Sequence, residues 1–182
     1  MRAGVILYGP PVEDTITAAL RELDHRFALF PRVKAGAGRT DGYRMVSHEH
    51  FDELREQGEI IWENRRYGSV YGVEKSLLLS LADRSVPVLH LGQPAAIGAV
   101  REATPSIRWV VVSLWCPRRI AAARIVARKT GDAGDRLTAW DETEPLPSAD
   151  MEFDTAAAEP AAIARTIRAW LQEGGADSQQ RI

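Results

Sequence analysis

The sequence predicts an α/β fold, a parallel core sheet covered by helices on both faces and interrupted by a small inserted mixed lobe. Three observations predict it. Unbroken apolar runs at Ala3–Tyr8, Val86–Leu91 and Trp109–Leu114 suit strands buried on both faces. Helical patterns separate those runs, as crossover connections require. Residues 34–72 break the alternation, so they form the insert.

The elements follow in order. Ala3–Tyr8 is the first strand. Glu13–Leu23 is a helix with Ile16, Ala19, Leu20 and Leu23 on one face. Ala28–Val33 reads as a strand. Ser47 suits the N-cap of a helix through Phe51, Leu54 and Gln57, closed by Gly58. Glu59–Glu63 and Tyr67–Tyr71 read as two strands of an antiparallel patch. Glu74–Ala82 is a helix, Val86–Leu91 a strand, and Pro94–Glu102 a helix with proline in its first turn. Trp109–Leu114 is followed by a helix at Arg118–Arg128, a Gly/Asp-rich loop at Thr130–Asp135 and helix again at Arg136–Trp140. Met151–Asp154 is a last strand and Pro160–Leu171 the closing helix. Residues 1–33 and 73–182 thus make the core, with residues 173–182 a polar tail expected to fray.

The chain of 182 residues carries a net charge of −2. Neither nucleic acid nor an anionic membrane is suggested by so small a charge. Cys116 is the only cysteine, which excludes an internal disulfide and a cysteine metal cluster. No spacing among the four histidines suggests a metal site. The N-terminal run is too short and too soon broken by proline for a signal peptide or membrane span, so a cytoplasmic protein is expected.

Ligands of such sheets bind beyond the carboxyl ends of the strands. That directs attention to Gly9–Thr15, to His90–Gln93 and to the segment after Leu114. Gly9–Thr15 has the outline of a strand–loop–helix phosphate site, with Gly9 and Thr15 in place. Its middle is wrong for phosphate: Pro10 and Pro11 offer no N–H, and Glu13 and Asp14 bring negative charge to the first helical turn.

The segment YRMVSHEHFDELREQGEIIWENRRYGSVYG, Tyr43–Gly72, resembles the substrate lobe of guanylate kinases. Tyr43–Ser47 matches the lobe's opening, Gly58–Ile60 its turn and Gly68–Gly72 its close. RIVARKTGDAGDRL resembles the family's mobile lid in shortened form, spanning about residues 124–136, with Arg124, Arg128 and Arg136 at its arginine positions. Residues 3–172 can be laid on the pattern. The resemblance implies a fold like that of the P-loop kinases, with a short helical lid and a degenerate Walker A loop.

Site by site, the resemblance implies the following. The family's guanine-reading positions fall on Trp62, Val73 and Gly92, which lack the hydrogen-bonding groups. Trp62 is placed to stack on a ring or to pack in the lobe. The acceptor-phosphate clamp falls on Arg32, Lys34, Tyr43 and Tyr71, a set of two cations and two phenols able to hold a phosphate or carboxylate. The arginines Arg124, Arg128 and Arg136 are candidates for closing on an anion. His90 ends a core strand where the family has an acidic residue; with Glu13 and Asp14 it supplies the available acid–base groups.

The expectation is therefore a guanylate-kinase-like protein that binds a phosphorylated or anionic small molecule between lobe and lid, and is not a standard ATP-dependent GMP kinase. Two alternatives stay open: a divergent kinase using ATP in an altered loop, and a non-catalytic phosphoprotein-binding module. No cofactor is implied with certainty; Mg and ATP enter only with the kinase alternative. A homodimer is left open.

Overall fold

A computed structural model describes residues 2–9, 13–66, 68–129, 131 and 133–173. The prolines Pro10 and Pro11 of the candidate loop lie outside the described residues, as does the tail beyond Glu173.

The main sheet has five parallel strands in the order β2-β7-β1-β8-β9: β1 (Arg2–Tyr8), β2 (Phe27–Leu29), β7 (Val86–Leu91), β8 (Ile107–Trp115) and β9 (Met151–Asp154). The unbroken apolar runs are explained by period 2. In β1, Val5 and Leu7 face a core built with Ile16 and Leu20 of α1 (Glu13–Leu23) and Ile163 and Ile167 of α7 (Pro160–Gln172). Ile6 and Tyr8 face the other core, with Leu78 of α3 (Lys75–Ala82) and Ile97 and Val100 of α4 (Pro94–Ala103). A strand flanked by helices on both sides has no polar face to spare.

A second, four-stranded sheet has the order β4-β3-β6-β5. It comprises β3 (Arg32–Ala35), β4 (Tyr43–Met45), β5 (Ile60–Arg66) and β6 (Ser69–Glu74), with β3 and β4 parallel and the other pairs antiparallel. Helix α2 (His48–Glu56) covers one side. Ser47 caps it, its hydroxyl accepting from the His50 N–H at 3.1 Å, and Phe51 and Leu54 pack on Val33, Ala35 and Val70. Gly72 passes so close to Phe51 that a Cβ there would lie 2.9 Å from the ring.

The expected strand over Ala28–Val33 is corrected to two strands in two sheets. Phe30 still donates its N–H to Val88 O at 2.9 Å and is buried in the main core. Pro31 has no N–H to continue the ladder, and Arg32 starts β3 in the other sheet. The inserted sheet accordingly runs from Arg32 to Glu74, slightly beyond the expected 34–72. Strand β4 was not expected; three residues are too short a run to carry a periodic signal. The lid region comprises α5 (Arg118–Ala127) and α6 (Ala133–Asp141), the latter beginning before the expected Arg136. No helix among the described residues is long and apolar enough to cross a membrane.

Candidate functional site

Strand register builds the site. Arg32 pairs with Tyr43 across β3–β4, Lys34 with Tyr71 across β3–β6, and Tyr71 with Asn64 across β6–β5. Residues two apart on one strand share a face, so Arg32 and Lys34 project together while Val33 and Ala35 turn into the lobe's core. The result is a tight group. The Arg32 guanidinium lies 5.8 and 5.5 Å from the ring centroids of Tyr43 and Tyr71, and the Lys34 ammonium 5.4 and 5.3 Å. The two rings are 5.4 Å apart. Lys34 is only 2% exposed, and its ammonium donates to Arg39 O at 2.8 Å. Among the described residues no carboxylate pairs with it; holding a cation there is costly, and the ring faces offset part of that cost.

This face looks across a cleft at the carboxyl ends of β1 and β7. Three adjoining cavities of about 170, 160 and 390 Å³ make up the cleft, and Arg32 lines all three. Six cationic side chains (Arg32, Lys34, Arg39, Arg66, Arg128 and Arg136) line it against the carboxylates of Glu13, Asp14 and Asp135. The local field therefore favours an anion.

Helix α1 brings Glu13 and Asp14 to the floor of the cleft in its first turn. Asp14 lies between groups from three regions: Arg39 of the lobe at 3.5 Å, Arg128 at the end of α5 at 3.9 Å, and His90 Nδ1 at 3.8 Å. His90 Nε2 is 2.8 Å from Thr17 Oγ1. Burial lowers the His90 pKa to about 4, aided by Arg32, Arg39 and Arg128 and opposed by Asp14, so the ring is neutral at pH 7. Glu13 moves the other way. Burial chiefly, and then the Asp14 charge, raise its pKa to about 7, against its own backbone N–H, Arg32 and Arg128. A carboxyl with that pKa can give or take a proton near neutrality.

A guanylate kinase of Aliivibrio fischeri is 25% identical over 142 residues, covering 72% of this chain and 68% of that protein. The crystal structure of guanylate kinase from Anaplasma phagocytophilum matches with a TM-score of 0.63 at 19% identity, over 97% of this chain and 88% of that one. This chain has the guanylate-kinase fold. No family model matches it.

Within the guanylate-kinase fold, the residues singled out from sequence divide into those that meet and those that do not. Glu13, Asp14, Arg32, Lys34, Tyr43, Tyr71, His90, Arg128 and Arg136 all line the cleft. Trp62 does not: it packs against the main core, opposite Val73, which is itself buried there. Glu63 turns to the other side of β5 and pairs with Arg55 at 2.7 Å. Thr15 is exposed and lines a separate cavity of about 450 Å³, together with Arg124, Arg128 and Thr155. Arg124 is committed to Thr155, donating to its hydroxyl at 2.8 Å and its carbonyl at 2.7 Å. Gly9 is held by geometry: its φ is +123°, and a Cβ would lie 1.9 Å from Leu114 O.

Thr17, Arg39, Asn64 and Arg66 are not marked out by the sequence reading, whereas Gln93, which also lines the cleft, falls in the expected His90–Gln93 segment. Asn64 and Arg66 follow Trp62 at period 2 and so share its face, a usable signal. Thr17 is three residues after Asp14 and shares its helix face. Arg39 sits between β3 and β4 with no periodic pattern to mark it. Among the described residues no group of three or more His, Cys, Asp or Glu could hold a metal ion.

Proposed function

We propose that the protein binds a phosphorylated or otherwise anionic small molecule in the cleft between lobe and lid, and does not take ATP in the way of an ordinary guanylate kinase. One observation carries the reading. Arg32 and the buried Lys34 share one sheet face with Tyr43 and Tyr71, so two fixed cations and two phenols point into one cavity. Fixed donors of this kind suit a phosphoryl or carboxyl group. The donor side supports the second half of the proposal. A P-loop neutralises a triphosphate with inward N–H groups and a lysine, whereas here Asp14 faces the cleft and already engages Arg39 and Arg128. Calorimetric titration with ATP–Mg tests this; binding with ordinary nucleotide-kinase affinity would contradict it, and no measurable heat is expected.

A second reading is a kinase with an altered donor loop, for which Mg and ATP would be required. It is favoured by Glu13, whose pKa of about 7 in the same cleft suits it to take a proton from an acceptor hydroxyl. Turnover of any member of a panel of nucleoside and sugar monophosphates with ATP or GTP, lost in Glu13→Gln, would establish it.

A further inference from the structure

At the opposite pole of the main sheet, beneath the amino ends of β2, β7, β1 and β8, lies a cavity of about 570 Å³. It is larger than any of the three that form the cleft, and no step of the proposed function uses it. Five arginines line it (Arg2, Arg26, Arg84, Arg108 and Arg168) against one carboxylate, Asp83. They arrive from five places: the start of β1, the turn before β2, the turn after α3, β8 and α7.

Two of the five charges are offset. Arg2 pairs with Asp83, and Arg26 pairs with Asp24 at 2.7 Å. The other three are not: among the described residues no carboxylate lies within ion-pair distance of Arg84, Arg108 or Arg168. Arg108 donates to Leu171 O at 2.9 Å and lies over the Trp170 ring at 5.0 Å, contacts that fix its guanidinium without neutralising it. Among the described residues one of its nitrogens, Nη1, is buried with no hydrogen-bond partner, and so is Nε of Arg168. Buried guanidinium donors without acceptors are rare, because each forfeits its hydration for nothing. Concentrated positive charge, unmet donors and a roomy open cavity occur together here.

We propose that this cavity is a second anion site, built for a phosphate-class oxyanion held by Arg84, Arg108 and Arg168. Arginine forks match such an oxyanion in both charge and shape. The site is independent of the cleft, since β1 and β7 run the full depth of the sheet between them, from Arg2 and Val86 at this pole to Tyr8 and Leu91 at the other.

The test uses the full chain with Lys34→Met, which silences the cleft clamp. Thermal unfolding is followed against inorganic phosphate and against glycerol 3-phosphate, with chloride at equal ionic strength as control. A ligand bound only by the folded state raises the melting temperature as its concentration rises. The expected result is a saturable rise with at least one phosphate probe, and a tenfold or greater weakening in Lys34→Met carrying Arg84→Gln and Arg168→Gln. Arg84→Gln alone, in an exposed turn, keeps the test valid if the triple variant fails to fold; it should weaken binding severalfold. Tighter binding of inorganic phosphate assigns the site to the free ion, and tighter binding of glycerol 3-phosphate to a phosphoryl group on an organic ligand; either upholds it. A response no larger than that to chloride, or one undiminished by the arginine substitutions, overturns the proposal.

Discussion

Thr17 Oγ1 and His90 Nε2 lie 2.8 Å apart, joining α1 to the carboxyl end of β7 beneath the cleft. Thr17 is buried, and the pair fixes the imidazole with Nδ1 turned toward Asp14. Thr17→Val keeps the side chain's shape and removes this bond. A buried hydrogen bond contributes about 1 kcal/mol, so the variant's melting temperature should fall by roughly 2–4 °C for a chain of this size. Thermal unfolding at pH 7 checks it. An unchanged transition would mean that the bond does not form.

Glu13 and His90 set opposing pH dependences. For Glu13 the folded pKa, about 7, lies above its ordinary 4.5, so the folded state holds the extra proton and stability falls as pH rises from 4.5 to 7. For His90 the folded pKa, about 4, lies below 6.5, so the unfolded state holds the extra proton and stability rises between pH 4 and 6.5. Each effect is on the order of 3 kcal/mol, and they cancel over much of the range. Glu13→Gln should therefore unmask a stability that rises with pH, and His90→Gln one that falls. Urea unfolding at half-unit steps from pH 4 to 7.5 reads both slopes. Parallel profiles in the two variants would contradict the assignment.

Gly9 tolerates no side chain. Its φ of +123° is strained for any L-residue, and a Cβ would strike the Leu114 carbonyl. Gly9→Ala is expected to cost roughly 3 kcal/mol, measured by denaturant unfolding. A loss under 1 kcal/mol would show that the turn relaxes away from β8.

Asp14 separates the two readings of the cleft. If the cleft holds an anion without a metal-bound triphosphate, the Asp14 carboxylate repels the ligand. Asp14→Asn should then tighten binding by about tenfold, or ~1.4 kcal/mol. If Asp14 instead serves phosphoryl transfer, the same change abolishes turnover. Calorimetry and a coupled kinase assay on the one variant decide between them.

Much of the fold was legible because periodicity and burial agree. Val86–Leu91 and Met151–Asp154 need no adjustment, and the α1 bounds hold to the residue. The break at Phe30–Pro31 was legible only in part: Pro31 cannot donate to a ladder and so marks a break, but nothing in the residues around it says that the chain changes sheet there. Within the site, Arg32, Lys34, Tyr43 and Tyr71 could be named from the lobe's motif, but their convergence depends on register across three strands, which sequence spacing does not state. Trp62 shows the limit in the other direction. A tryptophan at a base-reading position invites a stacking role, yet its strand enters the main core just there, and Asn64 and Arg66 reach the cleft instead.

The most direct test of the central claim is calorimetric titration of two proteins, with and without Lys34→Met, both carrying Arg84→Gln and Arg168→Gln to remove the second site, with whichever phosphomonoester gives the largest thermal shift. Methionine fills the buried site without the charge, so the fold is expected to persist. The clamp at Arg32, Lys34, Tyr43 and Tyr71 predicts saturable one-to-one binding where Lys34 is kept and a tenfold or greater loss in Lys34→Met. Equal affinity in both, with the variant folded, would place the anion elsewhere and contradict the account.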